Sequence, residues 1–483
     1  GCILVLVNST SIAINAFSPA GDEVGCVFTR RAICDMFCRE AMSTCHKITI
    51  GIKRGRSVTL KLIQNRTLHL DGRIHPDFGA VEATLRNQLG SHPGGAAVCV
   101  YHRGECVVDL WGGYKDDEGT LWTQDTMAPS FSTTKGVAAT LLHIQADRGL
   151  IDYDARVADY WPEFGQAGKE EITVRQVLSH QSGLYHIRQM VDHVDRLLDW
   201  KYMIRAIEQT TPVHPPGTRT GYHGLTFGFL VGEIIQRVTG KKFSQLVQKE
   251  IAKPLKLDGL FIGTPEHEIA RAAKLIFPAS IKRMAQTSLG SKLEVGASGI
   301  SKLLQRLGID SDLSSIFDAL APHGVSDFDF GSPESLRVAI PAANGLFTAR
   351  SLAKMYALLA NGGEFEGVRL LSEKSLARAT TVQKPTGKLS VIPFDMRWRL
   401  GYHGVATTRG FPRQAFGHFG FGGSGAWADP AQELSVALIV NSGMGSPFGD
   451  LRTASIGGAA LACAKARSRS AGLLREPMGL ATV

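Results

Sequence analysis

Ser132-Thr-Thr-Lys135 opens a run over residues 136–149 in which Val137, Ala138, Leu141, Leu142, Ile144 and Ala146 recur at helical spacing. No other stretch constrains the chain as much. Residues three apart on a helix share one face, so Lys135 brings its amine back to the Ser132 hydroxyl. Ser132 stands where a serine is favoured as a helix cap and where unpaired backbone N–H groups point outward. That suits a nucleophile whose reaction develops an oxyanion. A lysine pressed into apolar surroundings sheds its charge readily and can be the base that an unaided serine lacks. The expectation is an active-site serine hydrolase.

Ser-x-x-Lys is short, and Ser351-Leu-Ala-Lys354 repeats it. That copy lies in an amphipathic run (Leu352, Met355, Tyr356, Leu358, Leu359), where Ser and Lys read as an ordinary solvated face. The company that each copy keeps separates them.

At 483 residues the chain suits two or three domains or one large two-lobed one. No apolar run reaches the length of a membrane span. The net charge of +9 is concentrated early, since residues 1–70 hold nine Lys and Arg against four Asp and Glu. No arginine-rich or aromatic-interleaved stripe follows, so no nucleic-acid partner is expected. Cys34, Cys38, Cys45 and His46 lack a Cys-x-x-Cys pair and a second cluster, so no metal is expected. Cys99 and Cys106 fall in strand-like runs and read as buried thiols rather than a bridge. Nothing demands an oxidising compartment, and the expected location is cytoplasmic.

Residues 1–74 read as an extension of unknown structure, opening on Gly1 rather than Met, as a processed or incomplete start would. Residues 75–465 form the hydrolase body and 466–483 a tail. Within the body, residues 78–89 read as a short helix, and 95–101 and 105–111 flank Arg103-Gly104 as a hairpin. Residues 195–265 are helix-rich, most clearly over 225–238. Residues 265–340 are less regular and suit a lid or substrate-facing insertion. Thr348 caps a helix through Ala360; 416–418, 426–428 and 434–440 read as strands, and a final helix runs through 459–464. A hairpin early, helices in the middle and strands late suggest one sheet built from both ends of the chain, with a helical lobe inserted.

Two further stretches carry chemistry. Pro215-Pro-Gly-Thr-Arg-Thr-Gly-Tyr222-His223-Gly224 sets a tyrosine after a Pro-Gly turn and before an apolar helix. A phenol near a lysine ammonium loses its proton more easily and can pass protons between serine and leaving group. Tyr402-His403-Gly404 repeats the triplet without that setting. Gly417-His418-Phe419-Gly420-Phe421-Gly422-Gly423 is a strand edge dense in glycine, which is costly unless backbone must approach a ligand closely.

Taken in order, Ser132-Thr-Thr-Lys135, Tyr222 and His418-Phe-Gly420 resemble the serine β-lactamase and penicillin-binding-protein superfamily, over roughly residues 75 to 465. The likeness is greatest to its class C-like branch, which includes the family VIII carboxylesterases. The resemblance implies an α/β fold of the α+β type: an antiparallel sheet flanked by helices, an all-helical lobe, and the site between them. It implies acylation of Ser132, proton transfer by Lys135 and Tyr222, and an oxyanion hole from the N–H groups of Ser132 and Phe421. His418, Phe419 and Gly420 would bind substrate, and no cofactor or metal is called for.

Two departures bear on substrate. The third position of the tyrosine motif, usually Asn, is Gly224, and none of the nine tyrosines has Asn two residues later. His418 replaces the Lys of the Lys-Thr/Ser-Gly motif, and a mostly neutral imidazole cannot hold a carboxylate as a fixed ammonium does. Both changes point to small neutral esters as the partner. The alternatives are β-lactamase or D-amino-acid peptidase activity, or a non-catalytic scaffold.

Overall fold

The computed structural model describes residues 68–276, 313–443 (385 and 393 apart) and 451–472, together with three strands near the start. The chain divides into two units, Gly1–Leu68 and His69–Val483. In the first unit β1 (Ile3–Val7), β2 (Ser11–Phe17) and β3 (Glu23–Thr29) form an antiparallel meander. The Cys34–His46 cluster and the irregular stretch at 277–312 lie outside the described residues.

The second unit is built on a seven-stranded sheet. Its strands are β4 (Leu70–Ile74), β5 (Gly95–His102), β6 (Glu105–Gly113), β7 (His403–Gly404), β8 (Phe416–Phe419), β9 (Gly425–Asp429) and β10 (Leu434–Val440). They lie in the order β7-β8-β9-β10-β5-β6-β4, every pair antiparallel. The late strands therefore join the early hairpin through β10 and β5, with Leu438 opposite Val98. β4 falls within the stretch set apart above as an extension. It is an edge strand with three exposed residues in the middle, so it carries no apolar alternation to announce it.

Both faces of the sheet are covered, which is why β10 reads as a run apolar but for Ser435 rather than an alternating one. Val98, Val100, Leu110, Val436 and Leu438 face α1 (Gly79–Ser91) and a terminal helix, Leu451–Ser470. That helix runs past the expected end of the body at 465. On the opposite face the smaller Ala97, Cys99, Ala437 and Ala426 admit the helix Ala349–Ala360 close to the sheet. The helical lobe lies beyond it, with α2 (Thr134–Asp147) packed on α3 (Thr226–Thr239) as its core. α2 is buried along nearly its whole length, from Thr134 to Gln145.

This sandwiching corrects the reading of Ser351. It is buried, not on a solvated face: Thr348 Oγ1 donates to Ser351 Oγ at 2.9 Å, and Ser351 Oγ donates to Asp258 at 2.7 Å. Lys354 pairs with Glu366 at 2.7 Å. The helix is covered by sheet on one side and lobe on the other, so its polar residues serve local bonds. Cys99 and Cys106 are free thiols with Sγ atoms 3.8 Å apart.

Candidate active site

Ser132 sits in a 3-10 turn, Phe131–Thr133, that feeds α2. It is not the helix cap: α2 begins after Thr133 with no side-chain cap, which leaves the Ser132 hydroxyl for other work. Phe131 has φ +44°, a left-handed conformation that costs a bulky residue on the order of 1–3 kcal/mol. Its ring is held edge-on between Phe330 and Phe421, at centroid distances of 5.6 and 5.5 Å. The turn is tied down from below as well. Ser130 N–H donates to Gly345 O, and Gly345 N–H donates to Thr134 Oγ1, both at 2.9 Å.

Two side chains converge on Ser132 Oγ. Lys135 Nζ is 2.9 Å away, and the Tyr222 hydroxyl donates to the same oxygen at 2.9 Å. Lys135 also donates to Gly224 O at 2.6 Å and to Ala342 O at 3.1 Å. It is wholly buried, and burial holds its amine well below the ordinary lysine range. A neutral amine has two hydrogens, and the two carbonyls use both. Its lone pair is then left for the Ser132 hydroxyl proton, the geometry a general base needs.

Tyr222 follows a short strand, Thr220–Gly221, paired with Leu389–Ser390, and its ring stacks on Trp398 at 5.6 Å. Burial pushes its phenol up, and the bond to Ser132 only partly offsets that. This differs from the expectation that a lysine ammonium would ease ionisation. The amine is itself driven neutral, so the phenol keeps its proton and its donor role. The copy at Tyr402 is elsewhere, in the core, bonded to Thr140 Oγ1 at 2.8 Å.

The glycine-rich edge approaches the Ser132 turn closely. A Cβ on Gly420 would run into Ser130 O, and Thr133 Oγ1 donates to Ser424 O at 3.1 Å. Phe421 follows Gly420 and touches Phe131. His418 is buried, with Nδ1 donating to Phe419 O at 2.9 Å, and burial keeps it well below the usual imidazole range. Gly224 has a local reason to be glycine. A side chain there would collide with Leu320 Cδ2 and stand 2.7 Å from Ala319 O, both on the helix Leu313–Leu320.

The structure thus brings together Ser132, Lys135 and Tyr222, and sets His418, Phe419 and Gly420 on the neighbouring strand edge. It adds residues the motifs did not name. Trp398 backs Tyr222; His403 stands 4.8 Å from His418; His180, at φ +61°, packs on both Tyr222 and Trp398. His403 belongs to the triplet read as a decoy, and its signal was there to be taken: a second Tyr-His-Gly close before the glycine-rich strand. Among the described residues no three His, Cys, Asp or Glu are grouped to hold a metal, and no helix is long and apolar enough to cross a membrane.

A family model described as Beta-lactamase matches residues 81–461. The chain is 37% identical over 373 residues to the esterase/beta-lactamase LipL of Mycobacterium tuberculosis, a match covering 77% of this chain and 82% of that one. It is 25% identical over 339 residues to an N-acetylmuramyl-L-alanine amidase of Bacillus subtilis, with 65% and 68% covered. Among solved structures, a family VIII carboxylesterase superposes with a TM-score of 0.69 at 33% identity, covering 82% of this chain and 100% of that one. A penicillin-binding protein homologue from Caulobacter crescentus gives 0.70 at 32% identity, with the same coverage. The antiparallel sheet with helices on both faces is the fold these structures share with the chain.

Proposed function

The chain belongs to the beta-lactamase family, and we propose that it hydrolyses small neutral carboxylic esters through an acyl-enzyme on Ser132. The observation that carries this reading is the convergence of Lys135 Nζ and Tyr222 Oη on one serine oxygen, each at 2.9 Å. Neutral Lys135 takes the Ser132 proton as Oγ attacks the ester carbonyl. The N–H groups of Ser132 and Phe421 receive the oxyanion; losing one such donor costs roughly a hundred-fold or more in rate. Tyr222 gives its proton to the departing alkoxide, and the Lys135 ammonium restores the phenol.

Ester rather than β-lactam is favoured by two features of the site. His418 is neutral and buried, so this strand edge offers no imidazolium to a substrate carboxylate. Gly224 has no room for an amide-reading side chain. The family VIII carboxylesterase neighbour agrees with an esterase. LipL carries both activities in its name, which keeps β-lactam hydrolysis as the second reading.

The test is a panel of nitrophenyl esters of increasing acyl length beside a chromogenic cephalosporin, with Ser132→Ala as control. Short-chain esters should be turned over far faster than the cephalosporin, and Ser132→Ala should lose both turnover and phosphonate labelling. Labelling that survives in Ser132→Ala refutes the nucleophile, and cephalosporin turnover comparable to that of the esters refutes the ester preference.

A further inference from the structure

We infer that His418 and Tyr222 together hold the water that releases the acyl group, an inference that rests on the acyl-enzyme reading above. His418 Nδ1 carries the proton, because it donates to Phe419 O. Its Nε2 is therefore a pure acceptor. Among the described residues that atom has no hydrogen-bond partner, although the side chain is only 2% exposed. Buried polar atoms are seldom left so.

His418 lines a recess of about 10 Å³, close to the room one water needs. Ile392, Met396, Trp398 and Phe419 make most of its wall apolar, and Tyr222 closes one side. His403 also borders it, but both its nitrogens are engaged: Nδ1 with Gly404 O at 2.7 Å, Nε2 with Phe419 N–H at 2.9 Å. Tyr222 spends its hydrogen on Ser132 Oγ and keeps its oxygen lone pairs. The Tyr222 and His418 rings are 6.4 Å apart between centroids, and both line the recess.

A buried water needs two to four polar partners. These two groups supply two, and both are acceptors. A water donating one hydrogen to His418 Nε2 and the other to Tyr222 Oη keeps a lone pair free for attack. In deacylation the water oxygen bonds to the acyl carbon, and the carbonyl π pair moves onto its oxygen. Collapse breaks the bond from carbon to Ser132 Oγ. The Tyr222 proton passes to that Oγ, and a water proton replaces it on Tyr222. The products are the free acid and the restored serine. His418 gains no proton; it orients the water.

Rapid mixing with p-nitrophenyl butyrate separates the steps, with acylation as a burst of nitrophenol and deacylation as the steady rate. In His418→Phe the burst rate should stay within about three-fold while steady turnover falls about ten-fold or more. Intact-mass measurement should find a butyryl group on Ser132. His418→Gln, whose amide oxygen is an acceptor, should recover part of the turnover. Met396→Trp fills the recess without altering His418, so it should give the same burst and stall, and it serves should the Phe variant not fold. Burst and steady rate falling by one common factor, or turnover unchanged in His418→Phe, overturns the inference. A butyryl adduct in Ser132→Ala would instead sink the acyl-enzyme reading itself.

Discussion

Replacing Lys135 with Met asks what a neutral buried lysine costs the fold. Burial lowers the amine's pKa in the folded protein, while in the unfolded chain it returns to about 10.4. Between those two values the unfolded state holds one more proton than the folded one. Stability therefore rises with pH across that window, by about 1.4 kcal/mol per unit for one proton. The penalty is largest below the folded pKa and vanishes above 10.4. The buried histidines His143, His180, His223, His403 and His418 are also lowered and act with the same sign, but only below about pH 6.5. Lys169, lowered to about 8, enters only near that pH. Between pH 6.5 and 8 stability should thus rise with a Lys135 component that Lys135→Met lacks. The Met variant leaves the carbonyls of Gly224 and Ala342 without their donor, at about 1–3 kcal/mol each. That offset does not vary with pH, so the slope rather than the absolute stability is the readout. Urea midpoints of both proteins across this range, with ester turnover followed in parallel, make the measurement. Activity should vanish and the slope flatten in Lys135→Met. Parallel slopes would mean that Lys135 is charged in the folded protein, and the general-base argument would fall with it.

Tyr222→Phe should lower kcat/KM by about a hundred-fold or more with thermal stability little changed, whereas Tyr402→Phe should cost about 1 kcal/mol in unfolding and little activity. Gly224→Asn should destabilise by roughly 1–3 kcal/mol and bring no amide hydrolysis. Adding Leu320→Ala should recover only part of that loss, because the second obstruction, Ala319 O, is backbone; full recovery would refute the packing account. Ser351→Ala should keep phosphonate labelling while lowering the melting temperature, since its hydroxyl holds Asp258 and accepts from Gly259 N–H.

Local chemistry made the convergence of Ser132, Lys135 and Tyr222 legible. Ser132 and Lys135 are three residues apart on one turn, and Tyr222 is flagged by the turn before it. The sheet was legible for a similar reason: β5 and β10 are long and mostly apolar because both faces are covered. The rest depends on contacts made across the sequence. Trp398 lies 176 positions from the tyrosine it stacks on, and nothing near it marks the site. Gly224 reads as a missing side chain until Leu320 is seen to occupy its place. Phe131 gave no warning either, since a strained φ is normally signalled by glycine or asparagine, and here two aromatic rings hold it instead. Ser351 was misjudged because helical period reports one buried face, and the Ala349–Ala360 helix has two.

These parts fit together through charge. Burial lowers Lys135 and the nearby His180, His223, His403 and His418 and raises Tyr222, so it favours the neutral form of each. In the proposed mechanism acylation creates two charges at once, an ammonium on Lys135 and an oxyanion on the substrate. Opposite charges about 4 Å apart attract by about 4 kcal/mol at an effective dielectric near 20, against about 1 kcal/mol in water. That attraction offsets part of the desolvation cost that the same apolar setting puts on the Lys135 ammonium and on the oxyanion. A neutral ester enters such a site without losing a hydration shell. A carboxylate-bearing substrate must give one up, and its charge would meet His403 and His418 as neutral rings. The cost that burial imposes on Lys135 and the preference for uncharged substrates thus share one cause. Polarity introduced beside Tyr222 should erode both together.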